Sequence, residues 1–222
     1  MAQILAVSNQ KGGVGKTTTT INIAASLAKE GKTVLIVDLD PQGNASSGVG
    51  FPRQRITAGV YDVIMEYKHL SAVAQQTDVD GLDVLPATRD LVGAEVELVE
   101  EAGRERRLRK VLMTAREHYD FILIDCPPSL GLLTVNALVA ADAVLIPVQA
   151  EYFAMEGLSE LLVTTTTVRK RLNPDLARVG IVITMSDSRN RLCQDVEREI
   201  RGVFGEEVFE TVIPRNVRLG EA

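Results

Sequence analysis

The eight residues Lys11-Gly12-Gly13-Val14-Gly15-Lys16-Thr17-Thr18 constrain this chain more than any others. They lie between a short apolar run that closes at Val7 and an Ala-rich run, 18–29, that reads as helix. A Gly-rich turn between a strand and a helix N-terminus is an anion cradle. Backbone N–H groups can turn inward without Cβ clashes, and the helix end adds positive potential. Lys16 supplies a point charge for the β- and γ-phosphates of a nucleotide, and the Thr17 hydroxyl an oxygen for Mg²⁺. The pattern Lys-Gly-Gly-x-Gly-Lys-Thr has a chance frequency on the order of 10⁻⁷ per window at average composition, so coincidence is no competitor. It departs from the ordinary loop, Gly-x₄-Gly-Lys-Ser/Thr, because Gln10 stands where the first glycine belongs and Lys11 opens the loop instead.

Around this loop the chain alternates strand-like and helix-like runs. Apolar runs at 4–7, 33–38, 82–86, 121–125, 143–147, 179–184 and 208–212 predict strands. Segments 18–29, 60–67, 91–117, 132–140, 155–172 and 191–203 predict helices. Continuous Val/Ile/Leu runs suit a parallel sheet buried on both faces. The reading is an α/β fold: a mostly parallel twisted sheet with helices on both faces and right-handed crossovers. Ligands in such folds sit beyond the carboxyl ends of the strands. The loop, Asp38, Asp40 and Asp125 all follow strand candidates and can meet there. Residues 43–59, rich in small and polar types, are expected to be the most mobile loop. The helix at 91–117 carries acids first and bases last, which complements its dipole and reads as a solvated face.

With 222 residues, 45% hydrophobic and 24% charged, the chain has the profile of one globular domain. No apolar stretch approaches a membrane span, and no secretory leader is visible. Cys126 and Cys193 form no CxxC pair, so neither zinc nor a disulfide framework is expected, and a reducing cytoplasm fits. The net charge of −6 argues against wholesale nucleic-acid binding, yet the arginines cluster late in the chain, which leaves room for a local basic face.

The loop with its extra lysine resembles the ParA/MinD family of deviant Walker A P-loop ATPases. The segments Val37-Asp38-Leu39-Asp40-Pro41-Gln42-Gly43-Asn44, Ile124-Asp125-Cys126-Pro127-Pro128-Ser129, Pro147-Val148-Gln149-Ala150-Glu151-Tyr152 and Val212-Ile213-Pro214-Arg215-Asn216-Val217-Arg218-Leu219 resemble its ParA/Soj branch. The likeness covers essentially the whole chain and implies one P-loop ATPase domain over residues 1–222. Members of the family continue through a further loop and a C-terminal helix, so that segment is expected to be missing here.

The resemblance implies roles residue by residue. Gly12 to Thr18 would hold the ATP phosphates, and Thr17 and Asp125 the Mg²⁺, Asp125 through a water. Asp40 would orient the attacking water, and Asp38 would serve a supporting or structural role. Lys11 would reach across a homodimer to the partner copy's ATP, as an arginine finger does when supplied in trans. Pro214 and Asn216 would contact adenine, and Arg189 and Arg218 would contact DNA without sequence preference. The implied activity is weak ATP hydrolysis in chromosome or plasmid partition. A ParB/Spo0J-like partner would stimulate it, the location would be cytoplasmic and nucleoid-associated, and no membrane would be involved. The alternative is a MinD-like membrane-cycling ATPase, which requires an amphipathic C-terminal helix.

Overall fold

The computed structural model describes residues 1–216, the side chains of residues 178 and 179 excepted. Eight strands, β1 (Gln3–Val7), β2 (Val34–Asp38), β3 (Gln75–Gln76), β4 (Leu82–Leu85), β5 (Phe121–Asp125), β6 (Ala143–Gln149), β7 (Ala177–Ser186) and β8 (Val208–Pro214), form one sheet. Their order is β3-β4-β2-β5-β1-β6-β7-β8. All neighbours run parallel except the two-residue β3, which pairs antiparallel with β4 at the edge. β3 has no apolar pattern to announce it: both residues are exposed glutamines.

Among the described residues, eight α-helices accompany the strands: α1 (Lys16–Lys29), α2 (Asn44–Gly48), α3 (Val60–Ile64), α4 (Leu91–Glu97), α5 (Arg107–Ala115), α6 (Leu132–Ala140), α7 (Ala154–Arg171) and α8 (Arg191–Phe204). Alternate residues of each strand face opposite sides. Ile4, Ala6, Leu35, Val37, Ile122 and Ile124 join the larger core beneath α3 to α8. Val34, Ile36, Val84 and Leu123 pack under α1 and α2 on the other face. Helices on both faces are thus observed, and they explain why the strands read as unbroken apolar runs.

Two expectations are corrected. The single helix at 91–117 is two, separated by a loop and a short 3₁₀ turn, Arg104–Arg106. Gly103 takes φ +73°, which ends any continuous helix there. The Glu-rich half and the Arg-rich half therefore belong to different elements, and no single dipole organises them. The segment 43–59 holds α2 and a 3₁₀ turn, Arg53–Arg55, rather than an open loop. Ser46 is fully buried within it. Arg53 fastens it by donating to the carbonyls of Pro41, at 2.8 Å, and Gln42.

β1 lies between β5 and β6, and the chain leaves it in one direction for β2 and later returns on its other side for β6. That reversal opens a crevice at the carboxyl end of β1, where the Gly-rich loop sits.

Candidate functional site

The loop climbs from β1 and turns into α1 through two left-handed glycines, Gly13 at φ +74° and Gly15 at φ +86°. No side chain caps α1, and no acid stands in its first turn. Its leading amides are therefore left to an anion rather than to the chain itself. Thr184, near the end of β7, donates from Oγ1 to the Val14 carbonyl at 2.8 Å and ties the loop to the sheet.

Behind the loop the acids converge. Asp38 and Asp125 are register partners at the ends of β2 and β5, and Val7 of β1 pairs with Asp125 on its other side. Asp125 Oδ2 accepts from Thr17 Oγ1 at 2.7 Å and Oδ1 from Thr20 Oγ1 at 3.3 Å. Burial pushes the Asp125 carboxyl up to about 7; the threonine hydroxyls pull against this, and the negative charge of Asp38 and Asp40 adds to it. Asp38 is fully buried. It accepts from the Ser46 amide at 2.7 Å and hydroxyl at 2.6 Å. Burial raises its carboxyl to about 6 against those hydrogen bonds. These contacts make Asp38 the anchor of α2.

Asp40 lies just past β2, and its Oδ1 accepts from the Gln42 amide at 2.9 Å. Lys16 is buried at 7% exposure and donates from Nζ to the Lys11 carbonyl at 3.0 Å, spanning its own loop. Desolvation lowers its pKa, while the carboxylates of Asp125 and Asp40 pull the other way. Cys126 is buried, and desolvation drives its thiol pKa upward, which keeps it protonated.

A cleft of about 1110 Å³ joins these groups to the sheet edge. Gly12, Lys16, Thr17 and Asp40 line one end, and Phe209, Pro214 and Asn216 the other. The structure therefore brings Pro214 and Asn216 into the same crevice as the loop. Lys11 does not line it; its amine sits 2.8 Å from Glu151 Oε2 instead. Arg189 lies in the exposed turn after β7, its guanidinium paired with Asp187 at 3.1 Å. Arg218 lies outside the described residues.

The oxygen set suits Mg²⁺. The ion takes few protein oxygens and completes its shell with phosphates and water, and here one hydroxyl and one buried carboxylate stand together beside an anion cradle. Among the described residues no cluster of three or more acids, histidines or cysteines could hold a metal without phosphate. Sequence reading assigned no role to Thr184, Ser46 or Glu151. Glu151 stands in a segment that carries the resemblance, but its partner Lys11 is 140 residues away, as Val14 is 170 from Thr184; Ser46 is near Asp38 in the chain, yet one small polar residue among several.

Comparison with known proteins bears on the chain as a whole. A family model described as an AAA domain matches residues 2–178. The chain is 56% identical over 218 residues to the chromosome-partitioning ATPase Soj of Thermus thermophilus, covering 98% of this chain and 83% of that protein. It is 53% identical over 221 residues to the chromosome partitioning protein ParA of Myxococcus xanthus, covering 100% of this chain and 78% of that one. A solved structure from Mycobacterium smegmatis, described as cobyrinic acid a,c-diamide synthase with bound ATP analog and magnesium, superposes with a TM-score of 0.93 at 41% identity. That match covers 97% of this chain and 88% of the other.

Proposed function

The chain belongs to the ParA/Soj family of chromosome-partitioning ATPases, and from that membership we propose that it couples ATP–Mg²⁺ binding to self-association and DNA binding. The position of Lys11 carries this reading. Lys16 lines the cleft, whereas the Lys11 amine is bonded outside it. A cation at the mouth of a phosphate loop that does not serve its own cleft is placed to serve a neighbour's.

In this reading Gly12 to Thr18 cradle the phosphates, and Lys16 leaves the Lys11 carbonyl for the β- and γ-phosphates. Thr17 and Asp125 would hold Mg²⁺, which neutralises charge on those phosphates when bound. Asp40 orients the attacking water. Phosphoryl transfer rests on positioning and charge stabilisation more than on a strong base, and a lone carboxylate beside the γ-phosphate fits slow intrinsic hydrolysis. Pro214 offers an apolar wall to the base, and Asn216 donors and acceptors for a purine edge. Lys11 enters the partner's site and makes triphosphate occupancy and pairing one event. The single sheet supports treating residues 1–222 as one ATPase unit.

The paired form would hold double-stranded DNA through phosphate contacts, with Arg189 and Arg218 among the candidates. A ParB/Spo0J-like protein would trigger hydrolysis and reset the cycle, and binding to DNA would place the protein on the nucleoid. Partition names among relatives above 50% identity favour this over the membrane-cycling alternative. Among the described residues no helix is long and apolar enough to cross a membrane.

The decisive experiment measures DNA binding at one low salt concentration with ATP, with ADP and without nucleotide. Retention only with ATP, lost as salt rises, is expected. Binding indifferent to nucleotide would overturn the reading.

A further inference from the structure

Glu151 lies between β6 and α7, and its carboxylate is held at both oxygens. Oε2 takes the Lys11 amine at 2.8 Å, and Oε1 accepts from Gln149 Nε2 at 2.5 Å. The Lys11 backbone is fixed as well: its amide donates to Asn9 Oδ1 at 3.0 Å, and Asn9 Nδ2 donates to the Pro147 carbonyl at 2.8 Å. The first turn of α7 lies against the same spot. A Cβ built on Gly157 would stand 3.7 Å from Asn9 Oδ1 and 4.0 Å from Lys11 Cβ. The Lys11 and Glu151 side chains are 33% and 46% exposed, so the pair sits at the rim, where it can open without disturbing the core.

We propose that Glu151 is a latch in cis, holding Lys11 within the lone protomer so that pairing requires both copies to release this contact. The inference rests on Lys11 acting in trans. A carboxylate carries one negative charge, and the triphosphate of a neighbouring copy carries several. The amine therefore transfers when a loaded partner arrives and returns when it leaves. The latch sets the threshold of nucleotide and protein concentration at which pairing begins, and Gln149 keeps it aligned.

The test is the dimer association constant, from analytical ultracentrifugation with Mg²⁺ and a non-hydrolysable ATP analogue, for the wild type, Glu151→Gln, Glu151→Asp, Gln149→Ala, Lys11→Ala and the Lys11→Ala/Glu151→Gln double variant. An exposed ion pair is worth about a two- to fivefold change in an equilibrium. Two such pairs open per dimer, so Glu151→Gln should associate about four- to twenty-fivefold more tightly, following from the square of that factor. Glu151→Asp should stay near the wild type, and Gln149→Ala should fall between. The advantage of Glu151→Gln should shrink as salt screens the pair, which a purely structural role would not produce. In the Lys11→Ala background the Glu151 substitution should change nothing.

Equal or weaker association of Glu151→Gln, or the same gain without Lys11, overturns the latch. A wild type that pairs normally confines that failure to Glu151. A wild type that stays monomeric with saturating analogue overturns the proposed function itself.

Discussion

The two ends of the cleft are built differently. At the phosphate end every key group is fixed by the chain: Thr17 on Asp125, Lys16 on the Lys11 carbonyl, Thr184 on the Val14 carbonyl, Asp38 on Ser46. At the base end the walls come from β8, the last strand of the sheet, where Phe209 is 40% exposed and Pro214 lies at the strand terminus. A preorganised polar pocket gives up much when one group is removed, because its partners are left buried and unpaired. An exposed edge gives up only the lost contact. The phosphate end should therefore carry affinity, and the base end selectivity.

The sharpest way to break this contrast is Lys16→Ala. A charge-assisted contact to phosphate should cost about 100-fold in ATP affinity, and hydrolysis should fall below detection. Calorimetric titration with ATP–Mg²⁺ checks it; a loss no greater than that of Asn216→Ala would erase the difference between the ends.

Next comes the pH dependence of Asp38. Its folded pKa of about 6 lies above the unfolded value, so the native state binds the extra proton. Stability from this group is then greatest below about pH 4 and declines as pH rises toward 6. The decline amounts to about 2 to 3 kcal/mol by the shift. Asp125, raised to about 7 by the same burial, adds a fall of the same sign that continues to higher pH. Asp38→Asn should therefore reduce, not abolish, the fall in urea midpoint between pH 4 and 6, at the cost of one hydrogen bond to Ser46 or Asp40. A fall as steep in the variant as in the wild type would assign it to Asp125 alone.

Thr184→Val should cost about 1 to 2 kcal/mol in unfolding free energy, since it leaves the buried Val14 carbonyl without its donor. ATP–Mg²⁺ should recover part of that loss by holding the loop from the other side. Asn216→Ala is smaller still. It should weaken ATP binding by about threefold to tenfold, the worth of one hydrogen bond, and let GTP compete better. Competition binding of the two nucleotides reads both effects.

The same contrast explains what the sequence made legible. The phosphate loop is a local pattern, and its chemistry follows from residue type and spacing, so Lys16 and Thr17 were candidates before any fold was known; Asp125 entered through its place after a strand candidate and the resemblance of its segment. The longer strands from β1 to β7 were visible because burial leaves nearly unbroken apolar runs; β8, mostly exposed, showed only its β-branched and aromatic residues. The edge strand Gln75–Gln76 was not visible, because an exposed polar pair carries no pattern. Gly103 broke a helix that the run 91–117 had suggested as continuous, a backbone effect without an apolar signature. The contacts of Thr184 and Glu151 were hidden for a different reason. These residues lie 170 and 140 positions from their partners Val14 and Lys11, and only the folded chain brings them together; Glu151 stood in a segment that carried the resemblance, but nothing there pointed to Lys11.

Arg189 tests the contrast at its weakest point, on the surface beyond the base end. Its guanidinium is 90% exposed and bound to Asp187 through two nitrogens, at 3.1 and 3.3 Å. To contact DNA it must give up that carboxylate, which stands beside any approaching phosphate and repels it. Arg189→Ala should therefore reduce ATP-dependent DNA binding by only a few-fold and lower the salt slope by about one. Asp187→Asn should do the opposite, freeing the arginine and removing a negative charge from the same turn. Binding to labelled duplex across a salt series distinguishes the pair. If both substitutions leave affinity and slope unchanged, the arginine serves only to fix the turn after β7, and the DNA-binding face must be sought elsewhere.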